Sequence, residues 1–360
     1  MKKRLYFIVI LFSIVLLFIL LLFRNSHSNI ENKYSSSLSL KDSIEQYHEF
    51  INEAELNICD NNYSKALENY YKAFSFIKSP FPLDLYHVVL LNTYMNKNKD
   101  ALKYSRNLVK LGVNLKFFNQ KPLNKLKSDL SEWNKFIKDY NLLHKFYKDN
   151  INFKLKKQIV RLNISDQKNY CNIDINTGTI PLINIQDTVF EKCYNIIKKF
   201  GYPNHDLIGI NIKNDTDIID SPEIVIFRHY FQESYRNLNE LSSLLLKEVY
   251  KGKLKPIHFM IWDEFKYEPY PHYGSEILNK TNKGYYIKNL KLNEKEINRY
   301  NNNRKKIFMY SYNDELKKLI FMQKFRKLKF KFPQYNTVIS NDFPPYFKFK
   351  VFTKINLDDY

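Results

Sequence analysis

Two alanines set one helical-repeat length apart constrain this chain more than its composition does. Ala66 and Ala101 lie 35 residues apart, each in a stretch where small and large apolar residues return every three or four positions. From Tyr47 to Pro80 the sequence fits one helix–turn–helix unit. Ala54 takes the small position of the first helix and Asn61-Asn62 the turn. Ala66, Tyr70 and Ala73 follow as small, large and small on the second helix, and Pro80 ends the unit. A more degenerate unit runs from Pro82 to Leu115, with Val89, a turn at Asn96-Lys97-Asn98, then Ala101 and Leu108. The pattern has a packing cause: alanines let two helix backbones approach until their side chains interlock as ridges in grooves.

Tetratricopeptide repeats share this frame of about 34 residues, and residues 42–150 resemble a short TPR-like α-solenoid. Residues 116–130 read as the irregular tail of such an array. Beyond them Trp133, Phe136, Tyr140, Leu143 and Phe146 fall at three- and four-residue steps, which predicts a helix with one apolar face capping the repeats. Two repeats imply a shallow concave surface suited to a protein or peptide partner.

The N-terminus carries a different constraint. Leu5 to Phe23 is a run of 19 residues without a charge, preceded by Lys2, Lys3 and Arg4. As a helix it spans about 28 Å, against a hydrocarbon core of about 30 Å. Basic residues ahead of the run favour an inside N-terminus and a translocated body. Residues 1–24 are therefore expected to be a signal anchor. The chain would be single-pass in a bacterial cytoplasmic membrane with its C-terminal body extracytoplasmic, a cleaved signal peptide being the alternative. Residues 25–41, with SHSN and SSSLSL, are a polar linker.

At 360 residues, 44% hydrophobic and 16% aromatic, the remainder has material for about two packed domains. The formal charge of +20 favours anionic surfaces nearby. An A+T-rich genome yields the same excess of lysine and asparagine through codon usage, so nucleic acid is not an expected partner. Cys59, Cys171 and Cys193 form no C-x-x-C pair; buried free thiols are expected, with a Cys171–Cys193 bridge as the alternative.

Residues 151–321 read as a mainly helical domain, with helices at Leu155–Leu162, Asp187–Phe200, Glu223–Leu238, Leu241–Tyr250, Pro256–Tyr267 and Glu294–Met309 and a loop from Ser165 to Leu182. Gly201 and Pro203 bracket a helix stop, one residue tolerating positive φ and one unable to continue the helix. Gly209 and Gly274 fall at turn-like places. Asp166-Gln167 after LKKQIVRL, Gly201-x-Pro203, Gly209, His229, Gly252, Asp263, Tyr273-Gly274-Ser275 and Arg304 together resemble an uncharacterised bacterial family. That family is a domain of unknown function that often accompanies tetratricopeptide repeats. The chain departs from its pattern at Tyr170, where members usually carry arginine, and at Ser275-Glu276, where Thr-Gln is usual. The resemblance implies a domain and carries no activity.

Motifs with strong chemical signatures are missing: there is no phosphate-cradling glycine loop, no H-E-x-x-H and no G-x-S-x-G. Polar residues that interrupt apolar helices remain. His229 sits between Phe227 and Phe231 with Glu233 one turn on, Asp263 interrupts IHFMIWDEF, and His272 precedes the Tyr273-Gly274 turn. A His229–Asp263 pair with His272 approaching could perform acid–base work, and His229, Glu233 and Asp263 could hold a metal. The competing reading is a buried hydrogen-bonded pair that fixes helix register. No cofactor is implied.

In the tail, 322–360, Lys327–Phe332 and Tyr346–Phe352 alternate lysine with apolar residues, which is strand period and predicts a β-hairpin with one basic face. Such a face would contact an anionic surface or protect a sheet edge. The expected architecture is thus mostly α: a transmembrane helix, a TPR-like solenoid, a helical domain and a small β-rich tail. A membrane-tethered protein-binding scaffold is the leading expectation for function; a hydrolase or metal-dependent enzyme using His229, Asp263 and His272 is the alternative.

Overall fold

The computed structural model describes residues 38–171, 183–219, 226, 238–267, 272–274, 277–281, 284–288, 292–332, 336–339 and 352–355. Leu5–Phe23, His229 and Glu233 lie outside them. Among the described residues no helix is long and apolar enough to cross a membrane.

The first four helices are α1 (Leu40–Cys59), α2 (Tyr63–Phe76), α3 (Pro82–Tyr94) and α4 (Asn98–Lys110). Ser39 and Asp42 form a capping box that starts α1, satisfying amide groups that have no partner inside the helix. Its end is set by asparagine. Asn61 is left-handed at φ 59°, and the amides of Asn61 and Asn62 donate back to the carbonyls of Ile58 (3.0 Å) and Asn57 (2.7 Å). The same device closes α3, 35 residues on: Asn96 has φ 57°, with Asn96 donating to Thr93 (3.2 Å) and Lys97 to Asn92 (2.8 Å). Asparagine is among the few residues that enter this conformation readily, so the turn recurs at the spacing of the alanines. Ala54, Ala66, Ala73 and Ala101 are all fully buried, and α1 packs on α2 as α3 does on α4. Ala66→Leu is expected to overpack this contact at a cost of about 1–3 kcal/mol. Thermal denaturation checks it, and an unchanged midpoint would mean that Ala66 does not set the helix spacing.

Every residue of α3 from Pro82 to Thr93 is buried. A helix without a solvated face must be enclosed on all sides, and the chain supplies the enclosure from distant segments. Phe330 and Phe332 pack edge-on against His87, with ring centroids 5.7 and 5.5 Å away, and Tyr94 Oη donates to the Leu328 carbonyl at 2.7 Å. Phe117 packs edge-on against Tyr86. The surface expected to receive a peptide is thus covered along α3 by the chain's own residues.

Two 3-10 turns (Leu115–Asn119 and Leu123–Ser128) lead to α5 (Leu130–Asn150), α6 (Phe153–Cys171), α7 (Ile183–Phe200) and the single turn α8 (His205–Ile208). The predicted loop from Ser165 is corrected here: α6 runs on to Cys171, so Asp166-Gln167 does not end it. Asp166 is instead buried within the helix. Gly201 ends α7 with φ 76°, as its spacing to Pro203 predicts. Gly209 has φ 67° and ψ −164°, a region occupied almost only by glycine. A Cβ there would stand 2.8 Å from the Leu111 carbonyl oxygen.

The antiparallel pair β1 (Asn211–Lys213) and β2 (Asp217–Ile219) follows, then α9 (Leu238–Tyr250), α10 (Pro256–Asp263), a 3-10 turn (Glu264–Tyr267), β3 (Ile277–Thr281) and β4 (Gly284–Lys288). The chain closes with α11 (Glu294–Lys306), α12 (Tyr312–Lys324), β5 (Asn336–Ile339) and β6 (Phe352–Ile355). A four-stranded sheet has the order β5-β3-β4-β6, with β5 parallel to β3. The tail hairpin is corrected accordingly. Residues 327–332 form no strand: a 3-10 turn (Arg326–Leu328) is followed by irregular chain that buries Phe330 and Phe332 against α3. The alternation places Phe330 and Phe332 inward, and their neighbour is helix α3, not a second strand. Residues 346–351 lie outside the described part.

Candidate functional site

Of the residues predicted to carry chemistry, Asp263 and His272 are described, and they meet Tyr273 and Gly274 at the end of α10. Asp263 is buried and its carboxylate receives three donors: the Ser242 hydroxyl, the Tyr273 hydroxyl at 2.8 Å and Lys266 Nζ at 3.0 Å. The next residue, Glu264, accepts three successive backbone amides, from His272 (3.3 Å), Tyr273 (2.8 Å) and Gly274 (3.2 Å). Burial raises the Glu264 pKa above its ordinary value, while those amides pull the other way.

The carbonyl side of the same three residues is held from α11. Asn303 Nδ2 donates to the His272 carbonyl at 3.0 Å. Arg304, with no exposed surface, donates Nε to the Tyr273 carbonyl and Nη2 to the Gly274 carbonyl, both at 2.7 Å. Its Nη2 also meets Glu315 on α12 at 2.6 Å, and Nη1 reaches the Tyr310 and Ser311 carbonyls. Three peptide units are therefore clamped by a carboxylate on one edge and a guanidinium and an amide on the other. Buried backbone groups require such partners. This cluster joins α9, α10, α11 and α12.

The consequence for chemistry is specific. A carboxylate that already accepts a hydroxyl, a phenol and an ammonium group is engaged as a structural acceptor. His272 is half-buried, with its ring edge-on to Tyr273 at 4.7 Å. Burial lowers its pKa, and the neighbouring Asp263 charge partly opposes that. Asp263 and His272 thus share one neighbourhood, bridged by Tyr273; the third member, His229, lies outside the described residues, as does Glu233.

A second polar cluster, which sequence reasoning missed, surrounds α3. Tyr47 Oη donates to Asp84 and accepts the Phe81 amide at 3.2 Å. Lys255 Nζ stands 3.7 Å from Asp84, and Lys318 Nζ is 2.6 Å from both Glu55 and Asn52 Oδ1. All four charged residues are buried. Glu55, Asp84 and His87 each bring one potential ligand atom within 4.8 Å of the others. Two facts argue for a structural network over a metal site. Both His87 nitrogens are engaged, Nδ1 with Tyr70 Oη at 2.8 Å and Nε2 with the Lys331 amide at 3.3 Å. The two lysines also place two positive charges against the two carboxylates. A cavity of about 40 Å³ lies between this network and α10, large enough for one or two waters. Its members were hidden in sequence because they come from α1, α3, the residue that precedes α10, and α12, and only the fold collects them.

Against known proteins the chain matches no family model, no curated protein and no solved structure.

Proposed function

We propose that this chain is a membrane-tethered, extracytoplasmic protein-binding scaffold whose helical hairpins are TPR-like repeats and whose tether is Leu5–Phe23. One observation carries the binding role. Helix α5, which follows the repeats, buries only Phe136 and Leu143, while Leu130, Ile137, Leu142 and Phe146 are 69%, 37%, 72% and 48% exposed. Phe146 is a correction to the predicted apolar face: it points away from the core, with Lys110 Nζ 5.6 Å from its ring centroid. Leu142 and Phe146 stand one helical turn apart and so share one exposed apolar face, the kind of patch that marks an interaction surface. Lys138 and Lys145 are exposed on the same helix, so the surface suits a partner helix with an apolar stripe and acidic flanks. The predicted enzyme reading has weaker support, because Asp263 is committed to three structural donors.

Site-specific photo-crosslinking in the native membrane tests this. A crosslinker at position 142 is expected to yield one discrete protein adduct that Phe146→Glu reduces at least about five-fold, the effect of losing roughly 1 kcal/mol at an interface. Absence of any protein adduct would overturn the reading, and recovery of the chain outside the membrane would overturn the tether.

A further inference from the structure

We infer that the groove between α6 and α7 is a binding site for the phosphate headgroup of an anionic phospholipid. The groove offers about 390 Å³ of space. Lys154 enters from α6, and Lys192 and Lys199 from α7, seven residues apart and so on one helix face. Its floor is apolar, formed by buried Leu155 and Ile196, and Phe200 stands 42% exposed at its edge. Among the described residues no carboxylate lines it.

Lysine is abundant here, so lysines alone would mean little. The distinction lies in how these three are left. None has Asp or Glu three or four positions away in sequence, where a helix would place a partner. None forms an ion pair among the described residues. Lys198, next to Lys199 in sequence, does: it bridges to Glu240 at 3.3 Å. Three like charges around one concavity repel each other and together favour a multivalent anion. Lysine serves phosphate as a point charge without demanding planar geometry. The apolar floor and the exposed ring select further, for an anion carrying hydrocarbon. Phe200 beside Lys199, whose Nζ is 5.2 Å from the ring centroid, supplies both halves of that recognition.

A bilayer is nearby only if the tether proposed above holds, so the inference rests on that reading in this one respect. The test uses the full chain with liposomes of phosphatidylcholine alone or with about one-third phosphatidylglycerol. Acetylation rates of individual lysines are read by mass spectrometry, and flotation is scored in parallel. In anionic liposomes at about 0.1 M salt, Lys154, Lys192 and Lys199 are expected to react about five-fold more slowly than in neutral ones, while exposed Lys65 is unchanged. Raising salt to about 0.5 M should remove most of the protection. Equal rates in both liposomes, or the same slowing at Lys65, would overturn the site. Protection by about 10 mM glycerol phosphate in neutral liposomes would overturn the lipid as its source and leave a free phosphate ester. Failure to float with neutral liposomes speaks against the tether alone; protection in anionic ones would still support the groove.

Discussion

Arg304→Met is expected to lower folding stability by about 3–5 kcal/mol, because it strands a buried carboxylate. Glu315 is as buried as Arg304, and the pair is 2.6 Å apart. Removing the guanidinium also frees the Tyr273 and Gly274 carbonyls, which it holds at 2.7 Å. An unsatisfied buried acceptor costs about 1–3 kcal/mol by itself. Arg304→Met/Glu315→Leu removes the stranded charge along with its partner. It is expected to recover about half the loss, the carbonyls remaining unpaired. Urea denaturation of the single and double variants measures both. Equal losses in the two, or a single-variant loss below about 1 kcal/mol, would show that the ion pair does not hold this junction.

Arg304 also shows what sequence could convey. It stood out only as one polar residue at the end of the motif that resembles a family, and nothing local in NNNRKKIFM says that its target lies thirty residues upstream. The turn asparagines were different. Asn61 and Asn96 are local devices, each acting on the helix that immediately precedes it, so spacing revealed them. The alanines were legible for the same reason. Gly201 was read correctly from its proline neighbour, as a left-handed helix end.

Non-local arrangements were not readable in this way. The period-two pattern at Lys327–Phe332 fixed which side chains face inward but not what they face, and helix α3 took the place of a partner strand. The full burial of α3 likewise depends in part on Phe330 and Phe332, which lie far along the chain from it. The loop expected from Ser165 is instead helix as far as Cys171, where Asp166 is buried along α6. Glu55, Asp84, Lys255 and Lys318 became a cluster only through tertiary packing. A lone charge in an amphipathic helix has a solvated face as its ordinary explanation.

Below neutral pH the same cluster is expected to destabilise the protein through His48. Its Nε2 is buried without a hydrogen-bond partner, its ring packs beside Tyr47 and Phe81, and it lines the cavity that also holds Lys255, Glu55 and Asp84. Burial first, and then the Lys255 charge, push its pKa down to about 3. An unfolded histidine titrates near 6.5. The unfolded chain therefore takes up the proton first. The stability His48 contributes is complete above about pH 6.5 and is lost as pH falls from there towards 3. The slope is about 1.4 kcal/mol per pH unit, which makes about 2–3 kcal/mol at pH 4.5. Carboxylates also titrate in this range, so the informative quantity is a difference between two proteins. His48→Leu should narrow its stability gap to the parent protein, or overtake it, by about 2–3 kcal/mol between pH 7.5 and 4.5. Parallel stability curves over that interval would mean that water reaches the imidazole, and that the cavity between α1 and α10 opens in solution.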